Sequence, residues 1–189
     1  SIIADIFMVI SDVAIGVVFY LLLKHVNQSL SLLSAFFRLA QAATIGINLL
    51  MLFFVLQLLS GAEYLSAMGT DQVYAQALLF LNAHSIGYKL ALTFFAFAIL
   101  IQGYLLFKSD YFPKWLAVLV IIASMGYFID NFATFILPDY DAYAEIFEMI
   151  VMTSALSGEV GVAIYLLFKG IRIKKDDKIV SAQLAQAAA

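Results

Sequence analysis

Ionisable side chains lie deep within the long apolar stretches of this chain, among them Asp12, Arg38, Lys89, Asp130 and Glu159. A charge at bilayer depth costs roughly 2.5–3.5 kcal/mol on insertion scales and more in simulations, so each needs a partner or water. The residue types suit ion pairing, recognition of an anionic group by the forked Arg38 guanidinium, and proton exchange at Asp12 or Glu159. Arg38 does not stand alone. Gln41, Thr44 and Asn48 follow it at spacings of three, three and four, which places all four residues on one helical stripe. Asp5, Asp12, Gly16 and Tyr20 form a second stripe by the same rule.

Other chemistries find little support. The chain has no cysteine, which removes disulfides, thiolate catalysis and cysteine-ligated metals. Its two histidines, His25 and His84, belong to opposite ends of the apolar runs and cannot ligate one haem together. There is no HExxH or other multi-histidine cluster, and Ser157-Gly158 lacks the context of a nucleophile elbow. No catalytic residue, metal or cofactor is therefore assigned, and an enzyme acting on a lipid ranks behind the non-enzymatic readings.

The elements that must hold these residues are five apolar runs, roughly Ile2–Leu23, Leu30–Leu59, His84–Phe107, Leu116–Leu137 and Glu145–Phe168. Each reaches the ~20 residues that cross a bilayer core. The composition agrees: 65% of residues are hydrophobic and 12% charged, against about half and a quarter in a soluble domain. The expected fold is an all-α polytopic transmembrane bundle of five helices. Residues 1–170 form one transmembrane domain and 171–189 a basic juxtamembrane tail.

Charge is sorted by membrane side. Lys24, Lys108, Lys114, Lys169, Arg172, Lys174, Lys175 and Lys178 mark alternate boundaries, and Asp5, Glu63, Asp71, Asp139, Asp141 and Glu145 mark the others. The positive-inside rule then puts the lysine boundaries and the C-terminus on the cytoplasmic side of the membrane. A short basic tail beside a membrane attracts anionic lipid, so the lipid bilayer is the expected partner, with other membrane subunits as candidates and nucleic acid not expected. The three segments Tyr20–Lys24, Tyr104–Lys108 and Tyr165–Lys169 share one solution at that boundary, a tyrosine at the headgroups and a lysine reaching out four residues later.

Helix rise places Arg38 ~12 Å, Glu159 ~13–14 Å and Asp12 ~16 Å from the lysine-bearing boundary, so these three can meet. Lys89 and Asp130 both fall in the opposite half and can pair. We expect Asp12, Arg38, Gln41, Asn48 and Glu159 to line an inner polar cavity, and His84, Lys89 and Asp130 an outer one. On the last run, Ser154/Gly158 and Ser157/Gly161 are small-xxx-small pairs that let a neighbouring helix approach closely. Residues 71–81 read either as an interfacial helix or as an extension of the third run.

Several motifs together resemble a known family. Ala35-Phe-Phe-Arg-Leu-Ala-Gln-Ala42, Leu79-Phe-Leu-Asn-Ala-His-Ser-Ile-Gly-Tyr88, Tyr111-Phe-Pro-Lys-Trp-Leu116, Gly126-Tyr-Phe-Ile-Asp130 and Leu137-Pro-Asp-Tyr140 look like a bacterial multi-pass membrane family known as a domain of unknown function, DUF4386. The resemblance covers nearly the whole chain in order. It implies one more transmembrane helix ahead of Ile2, for six in all, in keeping with a chain that opens at Ser1 directly into an apolar run. It sets Arg38, Gln41, Asn82, His84, Tyr88 and Asp130 within family-like motifs and carries no activity onto them. Two functions stay open: a protein that binds or passes a small molecule, ion or proton along its polar seam, and an accessory or assembly subunit whose small-residue face docks a partner helix.

Overall fold

The computed structural model describes residues 2–63 and 67–170. Five helices, each long and apolar enough to cross a membrane, account for most of them: α1 (Ile2–Leu23), α2 (Gln28–Leu58), α3 (Thr70–Lys108), α4 (Lys114–Ile136) and α5 (Ala144–Lys169). Among the described residues there is no strand. The expected all-α bundle is the fold, and the chain is an integral membrane protein. The tail expected at 171–189 lies outside the described residues.

Local chemistry sets the helix ends. Asn27 is extended and its side-chain oxygen accepts from the Leu30 amide at 3.0 Å, which caps α2 and starts it slightly before the apolar run does. Pro113 supplies the first residue ahead of α4, and Pro138 follows Leu137 at its far end. Lys114 turns back to donate to the Phe107 and Ser109 carbonyls, satisfying the exposed end of α3. The residues 71–81 are not a separate interfacial helix. They continue α3, which is 39 residues long, about 58 Å at the usual rise. The 31-residue α2 runs alongside, and Phe54 packs on Phe80 at 5.2 Å where the pair extends past α4.

Neighbours in sequence are neighbours in space. α1 packs on α2, α2 on α3, α3 on α4 and α4 on α5, while α1 only grazes α3. The bundle is thus a curved row, with α1 and α5 as its two edges rather than partners. Lys24, Lys108, Lys114 and Lys169 gather at one end of it, and Glu63, Asp71, Asp139 and Glu145 at the other. The core lies mainly between α3 and α4, around Ile99, Leu105, Leu106, Leu116 and Ala123, all at most 1% exposed. Serine hydroxyls lash the helices by donating to carbonyls across the interface: Ser34 to Ala98 at 2.9 Å and Ser124 to Ala96 at 3.0 Å.

Small residues set the closest approaches. A Cβ added at Gly158 would meet the Ala123 Cβ at 2.8 Å and the Leu119 carbonyl oxygen at 2.9 Å; one at Gly126 would meet the Ser154 hydroxyl at 2.2 Å. Gly161 faces Leu116. The small-residue face of α5 is therefore filled by α4 of the same chain. This corrects the expectation that it docks a partner helix. Ser157 is turned differently, its hydroxyl donating to the Ser154 carbonyl at 2.8 Å within α5.

Candidate functional site

Arg38 and Gln41, one helical turn apart on α2, both reach Asp12 on α1. Arg38 Nη1 donates to Asp12 Oδ1 at 2.6 Å, and Gln41 Nε2 donates to Asp12 Oδ2 at 2.8 Å. Both carboxylate oxygens are thus answered. Gly16, one turn from Asp12, faces the arginine stem: a Cβ there would lie 3.5 Å from that of Arg38, an ordinary contact. The guanidinium sits over the Phe95 ring of α3, 5.0 Å from its centroid. Nη1 is committed to Asp12, while Nε bonds nothing within the chain.

Glu159 reaches the same level from the opposite edge. It lies in Leu156–Val160, a π-helical turn within α5. Such a turn inserts an extra residue, re-aims side chains and recurs at functional sites. Tyr127 of α4 donates its hydroxyl to Glu159 Oε1 at 2.9 Å, and its ring meets Phe95 edge-on at 5.2 Å.

Between the two edge helices is a cleft of about 320 Å³. Asp12, Arg38, Gln102 and Glu159 contribute its polar wall; Phe19, Phe95, Ile99, Val120, Val162 and Leu166 supply apolar surface. A second groove, about 150 Å³, approaches Asp12 and Arg38 from the other side of α1. Three buried polar atoms at this level have no hydrogen-bond partner: Arg38 Nε, Gln41 Oε1 and Gln102 Oε1. Unmet groups of this kind are uncommon in folded proteins and call for a physical reason.

The other half of the molecule is organised differently. Asp130 on α4 accepts from Lys89 of α3 on one oxygen and from the Tyr140 hydroxyl on the other, the latter at 2.5 Å. Lys89 also donates to Tyr140 at 3.3 Å and lies over its ring. Tyr140 comes from a short 3-10 turn, Tyr140–Ala142, so this triad ties the α4–α5 connection to α3. Asn48 and His84 form a separate lock between α2 and α3. The Asn48 amide nitrogen lies 3.0 Å from His84 Nδ1 and donates to the His84 carbonyl at 2.8 Å.

The residues singled out by sequence thus divide into three groups. Asp12, Arg38 and Gln41 come together, with Glu159 facing them across the cleft. Asn48 does not join them: it is ten residues along α2, about 15 Å away, and belongs with His84. His84 in turn does not join Lys89 and Asp130. Five residues on a helix turn a side chain by about 140°, so His84 faces α2 while Lys89 faces α4. Sequence reasoning missed Gln102, Tyr127, Tyr140 and Asn131, whose fully buried amide has no partner at either atom. The signal for Tyr127 and Asn131 was present: with Ser124 they make one stripe on α4 at spacings of three and four.

Comparison with known proteins gives the following. The family described as a domain of unknown function (DUF4386) matches residues 1–170. An uncharacterized protein of Archaeoglobus fulgidus is 30% identical over 177 residues, covering 93% of this chain and 86% of its own length. No solved structure matches.

Proposed function

This chain belongs to the DUF4386 family, and we propose that it binds or passes a small molecule, ion or proton at the α1–α5 cleft, without enzymatic chemistry. The observation that carries this reading is the cleft itself: about 320 Å³ of space at mid-helix depth, walled by Asp12, Arg38, Gln102 and Glu159. Polar adhesion between membrane helices averages well under 2 kcal/mol per contact and is served by closed pairs. The Lys89–Asp130–Tyr140 triad is such a closed pair and reads as structural. The α1–α5 level is different, because Gln102 and Arg38, each with a buried polar atom that bonds nothing, line the cleft. In this reading the lysine-bearing end faces the cytoplasm of a bacterial inner membrane, residues 1–170 are one transmembrane domain and 171–189 a basic cytoplasmic tail.

Native mass spectrometry of the protein, extracted gently from its own membrane, tests the reading. The expected result is a discrete small-molecule adduct that is weakened in Gln102→Leu, a substitution that removes an unpartnered acceptor and breaks no ion pair. Absence of any adduct, with co-migration of other subunits instead, would favour an accessory role in a larger membrane complex and overturn the binding reading.

A further inference from the structure

We propose that the ligand of this cleft is a lipophilic organic monocation that exchanges with a proton on Glu159; the inference rests on the cleft being a binding site. Charge accounting leads to it. Groups from every element face Glu159: Asp12 from α1, Arg38 from α2, Gln102 from α3 and Tyr127 from α4. Arg38 is the cation among them, and it is paired with Asp12, whose second oxygen is taken by Gln41. Tyr127 gives Glu159 one neutral hydrogen bond at Oε1, and among the described residues Oε2 accepts none. Ionised together, Asp12, Arg38 and Glu159 would leave the cleft one positive charge short.

Glu159 is half-buried beside apolar walls, and a carboxylate drawn out of water is costly to leave without a counter-charge. A proton on Glu159 supplies the missing charge when the cleft is empty, and a bound monocation supplies it otherwise. The exchange balances: the cation enters, the Glu159 carboxyl gives its O–H proton to water, and on release a proton returns.

The walls select the kind of cation. A bare metal ion of the calcium or magnesium type needs six or more oxygen ligands, far more than this wall presents. Phe19, Ile99, Val120, Val162 and Leu166 instead fit an apolar body, and an aromatic ring such as Phe19 attracts an organic cation. An anion would meet the surplus carboxylate of Glu159, and the Arg38 charge is already balanced by Asp12 at 2.6 Å. α1 and α5 are not packed along each other, so the cleft lies in the gap between them.

Tetraphenylphosphonium and tetraphenylborate, ions of one shape and opposite charge, test this with the full chain in lipid nanodiscs. Calorimetric titration in two buffers of different ionisation enthalpy counts the protons released. The expected result is saturable phosphonium binding that releases close to one proton per cation and weakens about tenfold per pH unit once Glu159 is protonated. Glu159→Gln, which keeps an oxygen to accept from Tyr127, should lose at least about tenfold in affinity. Tyr140→Phe, in the distant triad, should bind as the parent does. Proton release from the parent protein stands independently of whether either variant folds. Phosphonium binding without proton release, or undiminished in Glu159→Gln, overturns the proposal. So does preferred binding of the borate, which would leave a binding cleft of the opposite selectivity. Binding of neither ion also overturns it, and the adduct experiment then decides separately whether the cleft binds anything.

Discussion

Asp12 is held by two donors on one stripe of α2, and each would be stranded differently by mutation. Arg38→Ala leaves a buried carboxylate with a single amide partner, and we expect a loss of about 3–5 kcal/mol, measured as the unfolding midpoint of the purified protein. The double variant Asp12→Asn with Arg38→Gln removes both charges and should recover most of that loss, because the penalty lies in the unpaired charge rather than in the missing pair. Tyr140→Phe deprives Asp130 Oδ1 of its donor and should cost about 1–3 kcal/mol in the same measurement, while Lys89 keeps the other oxygen. Individual charges were legible from sequence because apolar surroundings make them conspicuous, and depth alone brought Asp12, Arg38 and Glu159 to one level. Their neighbours were not. Tyr127, Tyr140 and Gln102 carry no charge, tyrosine is common at membrane boundaries anyway, and only the packing of α4 on α5 shows that Tyr127 turns inward to Glu159.

At the scale of the helix, α5 owes its position to residues with almost no side chain. In Gly158→Leu the new side chain must displace Leu119 and Ala123 of α4, and backbone cannot yield as a flexible side chain can. We expect α5 to shift away from α4 with a loss of about 1–3 kcal/mol or more. The absence of native cysteine gives a clean readout: Gly126→Cys and Ser154→Cys, placed where these helices touch, should form a disulfide readily in the parent background and poorly beside Gly158→Leu. Helix number and type followed from the lengths of the apolar runs. The extent of α3 did not, because Asp71, Gln72 and Gln76 interrupt the apolar run and resemble a loop, yet none prevents helix and their polar side chains meet water or headgroups. The stripe on α2 was read correctly as polar and wrongly as one site: ten residues of helix separate Arg38 from Asn48, far enough for each to find a partner on a different neighbour.

The five described helices form a row in which α1 and α5 do not pack along each other, and no pattern within single helices could have announced that. Which helix packs on which is decided by pairs such as Gly158 with Ala123 and Ser34 with the Ala98 carbonyl, whose halves are far apart in sequence. The row has a consequence for how the protein is made. Because each helix packs chiefly on the one before it, a nascent chain never has to wait for a distant segment before a new helix finds its mate. Asp12 enters the bilayer needing Arg38, and Arg38 arrives with the very next helix; Lys89 likewise meets Asp130 one helix later. α1 and α2 should therefore go in as a self-neutralising unit. In a cell-free translocation assay of a nascent chain that ends after α2, Arg38→Ala should lower the fraction of α1 integrated, and adding Asp12→Asn should restore it. If integration is indifferent to Arg38, the charges pair only after release into the lipid. Biosynthesis, on this view, is where chain order and spatial order have to agree, and here they do from one end of the row to the other.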